Sequence, residues 1–432
     1  MAKEIKIAKG DSEQGSVGKQ QRRNMFALAF VFAGWGLNSS EIISGGTVAG
    51  PLGLKLGITV IIVGTLVNCL LGVLTTIPGV KTGLGFAMLS RHAFGEAGSK
   101  IPSAVISVVH FGWYGILTAM LASITIQILP NWSFAAVAII AGLSIAIVAT
   151  VGIKANTIIG YLAVPCVLIV GLIGVIRLLT GTPIDPMLTV GGESTFTQSL
   201  SQCIGAFAVG SLLACDVGRF AQTKLKAAIG VMIGLFIGLG FVRILGALSI
   251  LSTGVADIVL AFGAMGMAGA GFIFLFLNIV STTDNILYST GMSLANIIPV
   301  DRKILTLIAG VLGTIVAVTG LDSIFGAWLN FLAAIIPALG GVVVADFYIL
   351  KGSKYCAVEK IGCRFNVFAL IGWGAGIGIS QIGIFCGAID GLIGAGLVYL
   401  ICMYIVKAAK PEYFAKLTNA GEEPIDLTLT EA

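Results

Sequence analysis

Twelve stretches of this chain stay apolar for close to twenty residues each, and nothing else in the sequence narrows its fold as much. They fall at roughly 25–48, 54–79, 103–129, 134–152, 156–180, 198–219, 224–250, 268–297, 303–320, 323–349, 366–385 and 388–407. A helix rises about 1.5 Å per residue, so about 20 such residues span a hydrocarbon core of ~30 Å. Within lipid the backbone must satisfy its own hydrogen bonds, which a helix does. The sequence therefore predicts an all-α integral membrane protein with about 12 transmembrane helices. The composition agrees, with 57% hydrophobic residues, 10% charged residues and a mean hydropathy of +1.04 over 432 residues. The basic leader runs straight into a full-length span without a cleavage signature, so no signal peptide is expected.

Lysine and arginine gather on the cytoplasmic side of membrane proteins. With twelve spans and both termini inside, that side collects Lys3, Lys6, Lys9, Lys19, Arg22 and Arg23 at the start of the chain. It also collects Lys81, Arg91, Lys100, Lys154, Arg219, Lys224, Lys226, Arg302 and Lys303. Lys351, Lys354, Lys360, Arg364, Lys407, Lys410 and Lys416 complete a set of 22 of the 25 basic residues. The opposite face holds mainly Asp185, Glu193, Asp257, Asp322 and Asp390. An odd span count would scatter these charges. The net charge of +5 is then a topology signal and carries no implication of nucleic acid. The expected location is a cytoplasmic (inner) membrane, multi-pass, with residues 1–24 and 408–432 as cytoplasmic tails and 351–365 as a cytoplasmic loop. The polar leader and the acidic stretch 418–432 read as mobile. All eight cysteines read as structural, six in apolar segments and Cys356 and Cys363 in a loop where thiols stay reduced.

Against that apolar background, the polar run from Asn278 to Asn285 is conspicuous. Amides, hydroxyls and a carboxylate at membrane depth need partners, and they mark an ion or substrate path or glue helices together. Asn278, Ser281 and Thr282 stand at i, i+3 and i+4 and share one helix face. A backbone carbonyl with two hydroxyls suits a small hard cation that prefers oxygen. Asp284 moves the reading toward function.

Two helices are expected to be broken. The first span carries Gly34, Trp35, Gly36, Leu37, Asn38, Ser39, Ser40 and Glu41, followed by Gly45 and Gly46; the sixth carries a weak point from Gly205 to Ser211, ahead of Cys215 and Asp216. Glycine costs roughly 1 kcal/mol in a helix interior. Unwound backbone is tolerated at this depth only where it lines protein or a cavity. Breaks five spans apart are what an inverted five-helix repeat produces, with halves at about 25–180 and 198–349 of a 25–350 core.

Several motifs together carry a family resemblance: KTGLGFAMLSRHAFG from Lys81 to Gly95, FGWYG around Trp113, DxxRF from Asp216, NxxSTTDN from Asn278, and AAIIPxxGGVxxxD from Ala333 to Asp346. In order and spacing, over about residues 25–350, the chain resembles the nucleobase–cation symport family of the purine–cytosine permease type. The resemblance implies a leucine-transporter-type fold of ten core helices in two inverted repeats, plus two additional helices at 366–407. It implies alternating access around a midplane site, driven by sodium or a proton. It places a sodium site on the backbone carbonyls of Gly34, Leu37 and Asn278 and the hydroxyls of Ser281 and Thr282, and a flat ring between Trp113 and Phe207. Stacking of this kind is worth about 1–3 kcal/mol per ring.

The polar pocket positions depart from the family pattern. His110 stands where the purine–cytosine permease pattern has a glutamine, at i−3 of Trp113 and so on the same face. Val209 replaces a pocket serine, with Ser211 close by; Thr283 replaces an asparagine and Asn38 a phenylalanine. Such changes alter which ring is accepted. The expected function is therefore import of a planar nucleobase-like substrate by sodium symport. Proton-coupled import of another heterocycle, such as a thiamine-precursor pyrimidine or a hydantoin, and an amino-acid carrier of the same fold stay open as alternatives.

Glu41 and His110 carry the proton-coupled alternative: a carboxylate just past the first break either pairs with a cation or holds a proton. Plain exposure of Glu41 to an outer vestibule and an interior His110 satisfied by its neighbours are the simpler accounts. Asp284 is a coupling candidate, and Asp216 with Arg219 a structural or gating ion pair. No phosphate loop, metal-ligand cluster or nucleophile–base pair is evident, so ATP-driven transport and membrane enzymology find no support. No cofactor besides the coupling ion and no obligate protein partner are expected.

Overall fold

The computed structural model describes residues 16–151, 153–181, 185, 188–254, 262–263, 266–319 and 325–428. Residues 1–15 of the leader, Asp257 and Asp322 lie outside the described residues, as does the side chain of Lys154. Helix occurs in each of the twelve apolar segments, and among the described residues eight helices are long and apolar enough to cross a membrane by length and composition.

The chain runs through α1 (Met25–Gly36), α2 (Ser39–Ala49), α3 (Gly53–Thr82), the short α4 (Phe86–Phe94), α5 (Lys100–Ile128), α6 (Phe134–Ala149) and α7 (Ile153–Gly181). It continues through α8 (Phe196–Leu212), α9 (Ala214–Gly218), α10 (Lys224–Thr253), α11 (Ala268–Ala295), α12 (Arg302–Val318) and α13 (Phe325–Val344), which winds on as a π turn to Leu350. α14 (Val367–Ser380), α15 (Gly387–Ala409) and α16 (Pro411–Thr418) complete it.

The first segment breaks as expected. α1 ends at Gly36, Leu37 leaves the helical region, and extended Asn38 (φ −122°, ψ 151°) caps α2 by accepting the Glu41 amide on its side-chain oxygen. Asparagine at an N-cap replaces one missing backbone acceptor. The sixth segment breaks later than expected. Gly205 to Ser211 is helical throughout, and the interruption falls at Leu213, between α8 and α9. The glycines there serve close packing instead of unwinding: a Cβ on Gly205 would stand 2.7 Å from the Ala333 backbone nitrogen, and one on Gly210 2.5 Å from the Phe207 ring.

α1 and α2 lie along α10, and α2, α3, α8 and α10 pack on one another; α5, α6, α11 and α12 form a second packed group. The α2–α10 seam is close because both sides are glycine. A Cβ on Gly246 would run into the Ile42 carbonyl, and one on Gly45 into the Arg243 carbonyl.

At the face carrying most basic loops, Asp346 accepts the hydroxyls of Tyr355 (2.8 Å) and Tyr399 (2.7 Å), with the Lys351 ammonium 3.5 Å away. The C-terminal stretch differs from the free tail expected. Ile425 N–H donates to the Tyr355 carbonyl and Leu427 N–H to Lys81, while Asp426 lies near Lys81 and Lys224. Burial works against the Asp426 charge, but the Thr428 hydroxyl and amide and the two lysines outweigh it and hold the carboxyl below its usual range.

Candidate functional site

The break in the first segment rearranges its hydrogen bonds. Asn38 N–H donates to the Gly36 carbonyl, so the Gly34 carbonyl loses its i+4 donor; Glu41 N–H goes to Asn38, which releases the Leu37 carbonyl likewise. Across from them, the Asn278 amide nitrogen donates to the Leu37 carbonyl at 2.5 Å and its oxygen accepts from the Ser39 hydroxyl at 2.6 Å. α11 is thereby tied to both sides of the break. The Thr282 hydroxyl is buried with no hydrogen-bond partner, and leaving such a group unpaired costs roughly 1–3 kcal/mol. Oxygens gathered from an unwound backbone and a hydroxyl-bearing helix face can serve a small hard cation.

Beside this junction lies a pocket of about 430 Å³, its open side included. The break supplies Trp35, Asn38, Ser40 and Glu41; α5 supplies His110, Trp113 and Leu117; α8 supplies Ala206, Phe207, Val209 and Gly210; α11 supplies Thr282 and Ile286. The rings of Trp35 and Phe207 meet edge to face, centroids 6.0 Å apart at 72°. Trp113 is braced from behind by Phe325 (6.1 Å) and Trp328 (6.4 Å). Flat aromatic walls with few polar groups are the usual make-up of a small-ligand site.

Of the expected pocket residues, Asn38, His110, Trp113, Phe207 and Val209 come together. Ser211 and Thr283 do not line the pocket. Ser211 is sealed against α3, where its carbonyl accepts from Thr75 at 2.8 Å, and the Thr283 hydroxyl turns back to the Ile279 carbonyl of its own helix at 2.6 Å. Adjacent residues on a helix point about 100° apart, so Thr282 at the pocket puts Thr283 away from it.

Glu41 is neither exposed nor unpaired. Its Oε2 accepts from Arg243 Nη2 at 2.6 Å and Nε at 2.7 Å, and the guanidinium also donates to the Thr65 hydroxyl (3.0 Å) and the Cys203 carbonyl (2.9 Å). Both side chains are sealed from solvent, and Glu41 Oε1 has no partner. His110 Nδ1 lies 3.0 Å from the Thr290 hydroxyl, which itself donates to the Ile286 carbonyl at 2.7 Å.

The remaining ionisable candidates sort by position. Asp216 accepts the Phe86 amide at 2.7 Å and so anchors the start of α4, while Arg219 Nε donates to the Asp216 backbone carbonyl at 3.2 Å. The expected side-chain pair is thus a carboxylate holding one helix and a guanidinium held by a carbonyl. Asp284 is buried on α11 with neither carboxylate oxygen hydrogen-bonded.

Sequence reasoning missed Trp35 as a pocket wall and Arg243 as the partner of Glu41. The signal for Arg243 was available: it is a basic residue in mid-span, off the basic face, and a charge there must pair.

A pocket at an interrupted helix inside an all-helical bundle is joined here to a permease family, and that family makes the chain a transporter and not an enzyme. The chain belongs to the family of permeases for cytosine/purines, uracil, thiamine and allantoin, whose profile matches residues 17–406. It is 30% identical over 403 residues to the cytosine permease of Escherichia coli K12, covering 90% of this chain and 93% of the relative. It is 23% identical over 341 residues to an Arabidopsis thaliana purine-uracil permease, covering 69% of this chain and 56% of that one. Its fold matches Mhp1, a nucleobase-cation-symport-1 family transporter, in a closed conformation with bromovinylhydantoin bound (TM-score 0.81, 18% identity, 94% of this chain and 98% of that one). A sodium-coupled sialic acid symporter in a substrate-bound outward-open state shares the fold more distantly (TM-score 0.64, 12% identity, 90% of each chain). These are structures of the leucine-transporter type.

Proposed function

We propose that this permease imports a planar nucleobase-like ring by sodium symport, alternating access around the pocket between the first-segment break and α5, α8 and α11. The observation that carries the reading is that Asn278 of α11 is bonded to the Leu37 carbonyl and the Ser39 hydroxyl across the break, with the unpartnered Thr282 hydroxyl one turn on along the same helix face and lining the pocket with Trp35, Phe207 and Trp113. A cation there would bridge the interrupted helix and α11, so its binding would favour the arrangement that completes the pocket. Trp113 and Phe207 would hold the ring, with Asn38, His110 and Glu41 at its edge. The protein would sit in the cytoplasmic membrane with its basic face inward, as the distribution of lysine and arginine favours.

One observation supports a second reading, coupling to protons. A buried carboxylate without hydrogen bonds, as at Asp284, is a poor place for a permanent charge. Glu41 is a weaker proton carrier because Arg243 already neutralises it. Uptake of labelled cytosine into proteoliposomes decides between them. Sodium symport requires uptake to collapse when choline replaces sodium at constant pH. Uptake indifferent to sodium but driven by an inward proton gradient would replace this reading with the Asp284 one.

A further inference from the structure

Resting on that reading, we propose that the pocket selects rings bearing an exocyclic amino group over rings bordered by carbonyls, because two of its buried polar groups, His110 and Glu41, are both hydrogen-bond acceptors. The first is His110. Thr290 has one hydroxyl proton and donates it to the Ile286 carbonyl, so toward His110 it can only accept. The proton on the neutral ring must then be on Nδ1, which leaves Nε2 of this pocket-lining residue as a bare lone pair.

The second is Glu41. Arg243 places both of its nearest N–H groups on Oε2, leaving Oε1 buried and unpartnered in a residue that lines the pocket. A carboxylate oxygen accepts and cannot donate. The pair as a whole is neutral, so it asks for an N–H of a neutral ring and not for a cation. Asn38, a turn away, supplies the complementary donor. Its oxygen is fixed as the acceptor of the Glu41 backbone N–H, so its amide nitrogen is the free group. The Ser40 hydroxyl is already spent on the same Asn38 oxygen.

An amino group beside a ring nitrogen offers N–H to Glu41 and a lone pair to Asn38, and a further N–H on the ring meets His110. In a dioxo ring each N–H between carbonyls is flanked by oxygens, which would face the Glu41 carboxylate. Sites built from buried polar groups discriminate strongly because the wrong edge leaves those groups unpaired.

The test is binding of matched ring pairs to the intact purified protein: cytosine against uracil, and adenine against hypoxanthine, by thermal stabilisation and by displacement of bound labelled cytosine. The amino ring of each pair is expected to bind at least about 100-fold tighter. Glu41→Gln and His110→Gln each provide a donor as well as an acceptor, so both should narrow that ratio by about 10-fold or more. His110→Gln keeps the question answerable if Glu41→Gln does not fold. Uracil binding as tightly as cytosine, or hypoxanthine as tightly as adenine, would overturn the proposal while leaving the nucleobase reading intact. Stabilisation by amino acids and by no heterocycle would overturn both.

Discussion

Arg243 Nη2 stands 2.6 Å from Glu41 Oε2, and both side chains are closed to solvent. The pair fastens the second half of the interrupted helix to α10, while the same guanidinium reaches α3 through Thr65 and α8 through Cys203. One arginine therefore holds four elements in register behind the pocket wall. A charge so placed is costly to desolvate and is tolerated because nearly every donor is used.

Removing the arginine alone strands the carboxylate. Arg243→Met is expected to destabilise the protein by about 3–5 kcal/mol, the usual cost of breaking a buried pair from one side. Glu41→Leu combined with Arg243→Met should recover most of that loss, since apolar replacement of both partners is often neutral. Thermal unfolding of the single and double variants in detergent checks this. A double variant no more stable than Arg243→Met would show that Thr65 and Cys203, not the ion pair, carry the effect.

Thr282 separates ion binding from stability. Its hydroxyl has no protein partner, so Thr282→Val, close in shape, should leave sodium-free stability unchanged or slightly raised. Sodium affinity should fall at least about tenfold, equivalent to ~1.4 kcal/mol. Titrating sodium while following thermal stability measures both quantities, because a ligand stabilises by mass action. Unchanged sodium dependence would remove Thr282 from the cation site.

The glycine seam makes a sharper steric prediction. Gly246→Ala places a methyl on the Ile42 carbonyl in the α2–α10 contact, where overpacking costs about 1–3 kcal/mol or more. Gly240→Ala on the same helix meets nothing within 4 Å and should gain up to ~1 kcal/mol from helix propensity. Expression and unfolding temperature of the two variants test the contrast, and equal behaviour would mean that α2 shifts freely along α10.

Much of this was legible in the sequence because lipid imposes a simple rule. A long apolar run must be helix, and a glycine-flanked polar interruption such as Gly34 to Glu41 must line something. The aromatic pair of Trp113 and Phe207 was carried by the family resemblance instead, with only the mid-span position of Trp113 speaking against an interfacial role. Side-chain direction was not. Thr282 and Thr283 are neighbours of one chemistry, and only the rotation of α11 decides which faces the pocket. The sixth-segment break was misplaced because glycine serves two ends, unwinding and close packing, and Gly205 and Gly210 serve the second. Arg243 was missed because its meaning lies in a partner some 200 positions earlier in the chain.

Outside the membrane, His92 gives the protein an acid limit. Its ring stacks on Tyr355 at 3.9 Å and 11°, with Nε2 3.0 Å from the Cys356 carbonyl. Burial first, and the Lys351 ammonium second, hold its pKa down to about 3 from an ordinary 6.5. Above pH 6.5 the ring is neutral folded or unfolded and contributes no pH dependence. Below that, the unfolded chain takes up a proton that the folded one refuses, so stability falls as pH drops toward 3, by up to ~1.4 kcal/mol per unit. The depressed Asp426 carboxyl adds a loss of its own only at lower pH, below its ordinary value of 3.8, so the histidine's share is read between pH 6 and 4.5 as the difference from a variant that lacks it. His92→Phe preserves the stack on Tyr355 and should lessen the fall in unfolding temperature across that interval, whatever it does to absolute stability. A slope unchanged by the substitution would assign the acid sensitivity to another group.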